Sequence, residues 1–127
     1  LLTKHNSAPH IVLLKRVIPP FEGKFTLPGA FLWEGETALQ AAQRALKDKV
    51  GNLTIPLFSK ALFDAPERDP RGRIVSMVFE GEVSLQDIET ICSASETVLK
   101  DILFPLHDLP ELAFDHLAII KALTQKR

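Results

Sequence analysis

The sequence has a single cysteine, Cys92, and no apolar run long enough to cross a bilayer. One cysteine excludes a disulfide within the chain and is compatible with a reducing cytoplasm, where we expect the protein to act. We expect no membrane-spanning segment and no secretory signal. The formal net charge of -1 lacks the excess of basic residues that is typical of nucleic-acid-binding domains, so the sequence does not predict direct nucleic-acid binding by this chain.

The length and composition are those of one domain. A chain of 127 residues with 46% hydrophobic content can bury one sizeable core, and it contains neither internal repeats nor low-complexity tracts. We therefore expect residues 1–127 to form a single domain. Because the chain opens on Leu1 rather than methionine and closes in a helical pattern, we expect this domain to belong to a longer protein.

The pattern of apolar residues predicts alternating strands and helices. Strands are predicted at residues 1–3, 11–16, 25–27, 57–63, 75–83 and 98–104. A turn is predicted at residues 6–9 and a loop at 64–72. A closing helix after Pro110 is predicted to bury the stripe Ala113, Leu117, Ile120 and Leu123.

Residues 38–50 are predicted to form a helix. Thr37 and Gln40 have the spacing of a capping box, and Gly51 is suited to a left-handed helix stop. Positions 45, 48 and 49 are predicted to share one face of this helix. The apolar stripe consists of Leu39, Ala42, Leu46 and Val50.

Residues 29–51 resemble a Nudix box, the loop–helix–loop that holds divalent metal on nucleoside diphosphates. Glu36, Arg44 and Gly51 fall on the family spacing, and Ala30 takes the place of the first glycine. Residues 13–29 and 69–76 resemble ADP-ribose-type Nudix proteins. Residues 109–116 resemble the closing segment of Nudix-related transcriptional regulators. The resemblance implies an α/β/α sandwich with a mixed, curved sheet between the box helix and the closing helix.

The metal-binding positions of the box depart from the family pattern. The usual glutamates are replaced by Ala45, Asp48 and Lys49, which leaves Asp48 as the one residual metal ligand. Because a lysine beside the metal replaces attraction with repulsion, we expect tight Mg²⁺ binding to fail. Glu36, Arg44 and Asp48 are the residual catalytic positions, and we expect Glu36 and Arg44 to pair and hold the loop. The alternative is that Asp48 and Lys49 are ordinary solvated residues of an amphipathic helix.

Basic residues are the candidates for contacting a diphosphate. Arg16, Lys24 and Lys49 are candidates for the phosphates themselves, because a phosphate site needs fixed cationic donors. Arg71 and Arg73 lie in a loop rich in glycine and proline and are candidates for contacting the ligand or a neighbouring subunit. The family resemblance adds Ala30 to the candidate ligand-binding residues. Each has the alternative interpretation of a solvated surface residue. Phe21 or Phe25 is suited either to stacking on a base or to core packing.

The sequence leaves two main classes of function open. The first is a ligand sensor with impaired catalysis that binds ADP-ribose or a related nucleoside diphosphate without a cofactor. The resemblance places such a sensor in a homodimeric regulator of NAD metabolism that contacts DNA through a domain outside this chain. The second is a Mg²⁺-dependent hydrolase of the ADP-ribose pyrophosphatase type that uses residual carboxylates. A third interpretation is a dimerisation module with a vestigial pocket.

Overall fold

The computed structural model describes residues 2–5 and 8–124, which form strands and helices in the order ββββαββαβα. None of the helices in that part is long and apolar enough to span a membrane. The elements are β1 (Leu2–His5), β2 (Ala8–Val12), β3 (Leu14–Lys15), β4 (Phe25–Thr26), α1 (Ala38–Ala45), β5 (Phe58–Phe63), β6 (Ser76–Glu80), α2 (Leu85–Ser95), β7 (Leu103–Pro105) and α3 (His116–Thr124).

The strands pair mainly in antiparallel ladders. β2 lies between β1 and β7, β3 pairs with β4, and β5 pairs with β6 through a register shift between Ser59 and Ala61. Two isolated parallel bridges join Leu2 to Glu82 and Phe25 to Leu112. The strand arrangement is therefore mixed, in agreement with the sequence-based expectation.

Two apolar layers lie on opposite sides of β2, because successive side chains of a strand point to opposite faces. Val12 packs with Ile88 and Cys92 of α2 in one layer. Ile11 and Leu13 pack with Ile120 of α3 in the other. Val50, at the end of the helical region that follows α1, joins the layer of α2. Helices thus cover both faces, as an α/β/α sandwich requires.

The first helix begins at the predicted cap. The Thr37 hydroxyl accepts a hydrogen bond from the Gln40 amide at 3.1 Å, and the Gln40 side chain accepts one from the Thr37 amide at 2.9 Å. The predicted capping box is confirmed. The helical region continues to Val50, but Leu46–Val50 is a π-helical turn.

The buried face of α1 differs from the predicted stripe. Ala41, Ala45 and Leu46 are buried, whereas Leu39 is 39% exposed. Since two of the three buried residues are alanines, the helix backbone lies close to its neighbours. Ala45 is therefore in the core while Asp48 and Lys49 are exposed, so the predicted common face of positions 45, 48 and 49 is wrong.

Gly51 ends the helical region for a different reason than predicted. Its φ of 162° and ψ of -176° are extended, so the predicted left-handed stop is wrong. A Cβ at this position would lie 2.6 Å from Cγ2 of Ile91 in α2. Gly51 is required because α2 packs directly against its backbone.

Helix α2 was not predicted, and the strand prediction for residues 98–104 is largely wrong. The Ser84 hydroxyl caps α2 by accepting a hydrogen bond from the Asp87 amide at 3.1 Å, and Ile88, Ile91 and Cys92 are its buried residues. Leu99–Asp101 is a 3₁₀ turn, and pairing begins only at Leu103. The turn interrupts residues whose β-branched and apolar character had indicated a strand.

Smaller differences concern the ends of elements. The predicted strand at 11–16 is divided between β2 and β3, and the predicted turn at 6–9 is partly wrong, because residues 8 and 9 belong to β2. Residues 1, 6 and 7 lie outside the described residues. In the closing helix, Leu117 is 42% exposed, and Ala113, although buried, precedes the helix. The buried residues within α3 are Ile119 and Ile120.

The contact between Gly51 and α2 gives a stability prediction. Gly51→Ala should lower the free energy of unfolding by about 1–3 kcal/mol, because the added methyl group overpacks against Ile91. Gly29→Ala is the control, since its Cβ would have no neighbour closer than 4.0 Å. Urea denaturation measures both. Equal stabilities for the two variants would contradict the packing role of Gly51.

Candidate ligand-binding site

A charged clamp holds the loop before α1 onto the helix. Arg44 donates to Glu36 from Nε at 2.8 Å and from Nη2 at 2.9 Å, and Nη2 also donates to the Phe31 carbonyl at 2.6 Å. The Arg44 guanidinium lies 3.6 Å from the ring centroid of Trp33. The hydrogen bonds from Arg44, and next from the Trp33 amide, lower the pKa of Glu36 to about 2. Glu36 is therefore a carboxylate at neutral pH, and its hydrogen bonds hold the loop before α1 against the helix.

Three of the predicted cationic residues lie around two aromatic rings. The guanidinium carbons of Arg16 and Arg71 are 5.0 Å and 4.8 Å from the ring centroid of Phe114. Phe21 contacts Phe114 edge-on, with centroids 4.9 Å apart, and Lys24 Nζ lies 5.5 Å from the Phe21 ring. These residues, Arg16, Phe21, Lys24, Arg71 and Phe114, are called the Phe114 cluster.

Both aromatic members of the Phe114 cluster have unusual backbone conformations. Phe21 has a φ of 64° and Phe114 a φ of 52°, in the left-handed region that bulky residues rarely adopt. Each such residue costs about 1–3 kcal/mol and persists only where neighbouring contacts hold it. Strain of this kind concentrates at ligand sites, so it marks the Phe114 cluster as a candidate site.

The cations of the Phe114 cluster are not equally neutralised. Arg16 donates to the carbonyls of Pro20 at 2.6 Å and Pro19 at 3.2 Å, and no described carboxylate forms an ion pair with it. Lys24 forms an ion pair of 3.0 Å with Glu111, whose side chain is 77% exposed. Such an exposed pair contributes at most about 1 kcal/mol. Arg16 and Lys24 are thus the cations most available to an anion.

Arg71, in contrast, has a buried partner. The Asp69 carboxylate is 4% exposed and accepts hydrogen bonds from the Arg71 amide at 2.9 Å and from Nη2 at 2.7 Å. The bond from the Arg71 side chain lowers the pKa of Asp69. Arg71 also lies 5.2 Å from the ring of Phe31, in the loop before α1. It therefore links that loop to the Phe114 cluster.

Phe114, Arg68 and His116 were not predicted as site residues. Arg68 binds Asp115 through two hydrogen bonds of 2.8 Å, directly beside Phe114. The amide of Leu27 donates to His116 Nδ1 at 3.0 Å. Burial is the main reason why the pKa of His116 is lowered to about 4. The sequence signal was that Phe114 and His116 lie within the closing segment of family resemblance and that Arg68 immediately precedes the segment 69–76.

Comparison with known proteins identifies the family. The NUDIX domain model matches residues 2–123. The chain belongs to the Nudix family. It is 39% identical over 111 residues to an ADP-ribose pyrophosphatase of Methanocaldococcus jannaschii, an alignment that covers 87% of this chain and 63% of that protein. The chain therefore spans somewhat less than two thirds of this relative.

Solved structures confirm the predicted Nudix sandwich. A MutT/nudix family protein from Listeria innocua has a TM-score of 0.80 and 34% identity, covering 98% of this chain and 90% of that one. Shewanella oneidensis NrtR, solved in complex with a 27mer DNA, has a TM-score of 0.81 and 29% identity. That match covers 98% of this chain but 59% of NrtR.

The three box positions that resemble metal ligands of the family are occupied by Ala45, Asp48 and Lys49. Ala45, at the position of one family glutamate, is 3% exposed and lies in the core. Asp48 and Lys49 are on the surface. Within residues 2–5 and 8–124, no group of three or more acidic, histidine or cysteine side chains is arranged to hold a metal.

The other predicted residues lie outside the Phe114 cluster. Ala30, Asp48, Lys49 and Arg73 are exposed, and among the described contacts none of them touches the cluster. The charge of Asp48 makes a minor contribution to the raised pKa of Arg44, which is due first to Glu36. Phe25 packs edge-on against Phe104 at 4.9 Å, so core packing is the correct interpretation of Phe25.

The buried His116 gives a prediction about pH. The pKa of His116 falls from 6.5 to about 4 on folding, so between these values the unfolded chain binds a proton that the folded chain does not. Stability should therefore fall as the pH drops from 6.5 to 4, by up to about 3 kcal/mol from this residue. His116→Asn retains an acceptor for the Leu27 amide and cannot titrate. Urea denaturation from pH 7.5 to 4 should give a flatter profile for this variant, and parallel profiles would contradict the assignment.

Proposed function

We propose that the chain binds ADP-ribose or a related nucleoside diphosphate derivative at the Phe114 cluster, as a ligand sensor with impaired catalysis. The observation that carries the proposal is the Arg16 guanidinium, which rests on Phe114 without a carboxylate partner among the described residues. Lys24 lies on the adjoining ring with an exposed partner that a phosphate can replace. The planar fork of arginine suits phosphate oxygens.

The choice of ADP-ribose is supported by the similarity to an ADP-ribose pyrophosphatase. Phe21, Phe31 and Phe114 lie beside the cations and supply flat apolar surfaces for the rest of such a ligand. Since the chain spans only 63% of that relative, the activity of the whole relative is carried over only as a proposal.

Impaired catalysis is proposed because of the residues at the box helix. A metal in a Nudix site would neutralise the diphosphate and help to activate water. Ala45 and Lys49 replace two acidic positions, and Asp48 stands beside a lysine. The Glu36 carboxylate already accepts hydrogen bonds from the Arg44 side chain and the Trp33 amide. In this proposal the charge of the diphosphate is met by side chains, and no metal is needed for binding.

The second candidate function is a Mg²⁺-dependent hydrolase of the ADP-ribose pyrophosphatase type. The 39% identity to such an enzyme favours it. Asp48 and Glu36, with carboxylates outside the box, would then hold the metal. The two candidates differ in one measurable respect, since the hydrolase requires metal-dependent turnover and the sensor requires metal-independent binding.

The similarity to NrtR supports a place in a DNA-binding regulator, because that protein was solved with DNA. The link of this regulator to NAD metabolism is proposed from the family resemblance alone. We propose that contact with DNA belongs to a segment outside this chain, because the net charge of this chain is only -1.

We further propose a cytoplasmic homodimer. Phe58 and Met77 have exposed apolar side chains and line an open groove of about 600 Å³. This surface is compatible with a contact between subunits. It is equally compatible with the third interpretation, a dimerisation module with a vestigial pocket.

Calorimetric titration with ADP-ribose in EDTA tests the proposed site. The unmodified chain should bind, and Arg16→Ala should weaken binding by about tenfold or more, because a charge-assisted contact is lost. Lys15→Ala removes the same charge from the neighbouring exposed position and should leave the affinity within about twofold. Equal losses in both variants would indicate that net charge, rather than Arg16, determines affinity.

The same titration with Mg²⁺ separates the two candidate functions. For a sensor, affinity changes little with Mg²⁺, and ADP-ribose turnover stays well below about 1 per second, the lower end of common enzyme rates. Turnover at or above that rate, abolished by EDTA, would establish the hydrolase and reject the sensor.

From its position in the box, and although it lies outside the Phe114 cluster, Lys49 is predicted to act as a fixed cation in place of the metal for a diphosphate that extends from the cluster to the box helix. It stands where a metal-ligating glutamate is found in the family, and its ammonium would meet the diphosphate in EDTA. Lys49→Glu should lower ADP-ribose affinity by more than about tenfold, with a loss that shrinks at high salt. Lys47→Glu, an exposed charge reversal in the same π-helical turn, is the matched control. Unchanged affinity in Lys49→Glu would make Lys49 an ordinary surface residue.

A further inference from the structure

We infer that the Arg68–Asp115 ion pair positions Arg71 for ligand binding, an inference that rests on the proposed function. Arg68 is 4% exposed at its side chain, and Asp115 is 24% exposed. Arg68 Nε and Nη2 each donate to one carboxylate oxygen at 2.8 Å, while Nη1 donates to the Ile74 carbonyl at 3.0 Å. A two-pronged arginine–carboxylate pair fixes orientation as well as distance.

The pair joins two segments that meet at the Phe114 ring. Asp115 follows Phe114 in the closing segment, and Arg68 lies in the same loop as Arg71. Holding Arg68 against Asp115 therefore brings the loop beside the ring, where the Arg71 guanidinium lies 4.8 Å from the centroid.

The other hydrogen bonds of this loop are internal to it. Arg71 binds Asp69, the Gly72 amide donates to the Asp69 carbonyl at 3.3 Å, and the Arg68 amide donates to the Ala65 carbonyl at 3.2 Å. These bonds shape the loop without tying it to the closing segment. Among the described hydrogen bonds, those that cross between loop and closing segment come from Arg68.

The Asp69–Arg71 pair and the Arg68–Asp115 pair thus have separable roles. The first sets the direction of the Arg71 side chain within the loop, and the second sets where the loop lies. Loss of the Asp115 charge should release the loop from the closing segment and move Arg71 away from Phe114. Arg16 and Lys24, which lie on a different segment, should keep their places.

A double-mutant cycle on ADP-ribose affinity tests the coupling. Asp115→Asn, which keeps the shape but loses the charge, should weaken binding by about tenfold. If Asp115 acts through Arg71, the same substitution should have little further effect in an Arg71→Ala background. An equal loss in both backgrounds would mean that Asp115 supports the fold in general, and would overturn the inference.

Hydrogen exchange of the ligand-free protein tests the positioning independently of ADP-ribose. Asp115→Asn should accelerate exchange of the Arg71 and Gly72 amides, because the internal hydrogen bonds of a loop that is no longer held against the closing segment open more often. The Gly23 amide, bonded to the Arg16 carbonyl at 2.8 Å, is the internal reference and should not change. If the unmodified chain fails to bind ADP-ribose, the proposed function fails while this measurement still decides the positioning role.

Matched variants separate charge loss at the pair from charge loss elsewhere. Glu67→Gln removes a carboxylate from an exposed residue of the same loop and should leave both affinity and exchange unchanged. If Asp115→Asn does not fold, Arg68→Lys replaces it, since lysine keeps the charge and loses the two-pronged geometry. Unchanged exchange at Arg71 in the folded variant would overturn the inference.

Discussion

Two backbone hydrogen bonds between β4 and the closing segment hold the candidate site together. The Phe25 amide donates to the Glu111 carbonyl at 3.0 Å, and the Ala113 amide donates to the Phe25 carbonyl at 2.9 Å. Immediately after this bridge the chain passes through the left-handed conformation of Phe114. The three side chains that follow the bridge then contact three different parts of the molecule.

Each of those three contacts uses a different interaction. The Phe114 ring contacts the guanidinium groups of Arg16 and Arg71. The Asp115 carboxylate forms an ion pair with Arg68. The neutral His116 ring accepts a hydrogen bond from the Leu27 amide. Cation–π contact, ion pairing and a neutral hydrogen bond respond differently to salt and pH. The site is therefore not dependent on a single kind of force.

Hydrogen bonds between residues close together in the chain could be predicted from the sequence. The capping box of Thr37 and Gln40 needs only neighbouring residues, and it forms as predicted. Gly51 was noticed for the wrong reason, because its constraint comes from Ile91, far along the chain. Helix α2 has a capping serine and buried residues at helical spacing, so its pattern was present and was overlooked.

Residues of the site were predictable as types but not as partners. Arg16, Lys24 and Arg71 stood out as cations in segments of family resemblance, yet their convergence on Phe114 depends on contacts between distant segments. The same applies to Ala45, whose burial follows from how α1 packs and not from its spacing in the box. The spacing of apolar residues predicts which face of a helix is buried. The residues that this face contacts are determined by tertiary packing.

The stacking of Arg44 on Trp33 has a consequence for how this protein can be observed. Trp33 is the one tryptophan of the chain, and the chain has no tyrosine. Its indole is 61% exposed and lies 3.6 Å from the guanidinium that clamps Glu36. When excited at wavelengths that phenylalanine does not absorb, the fluorescence of this chain therefore originates at Trp33 in the Nudix box. The molecule carries a built-in optical reporter on the loop that joins the box to the Phe114 cluster.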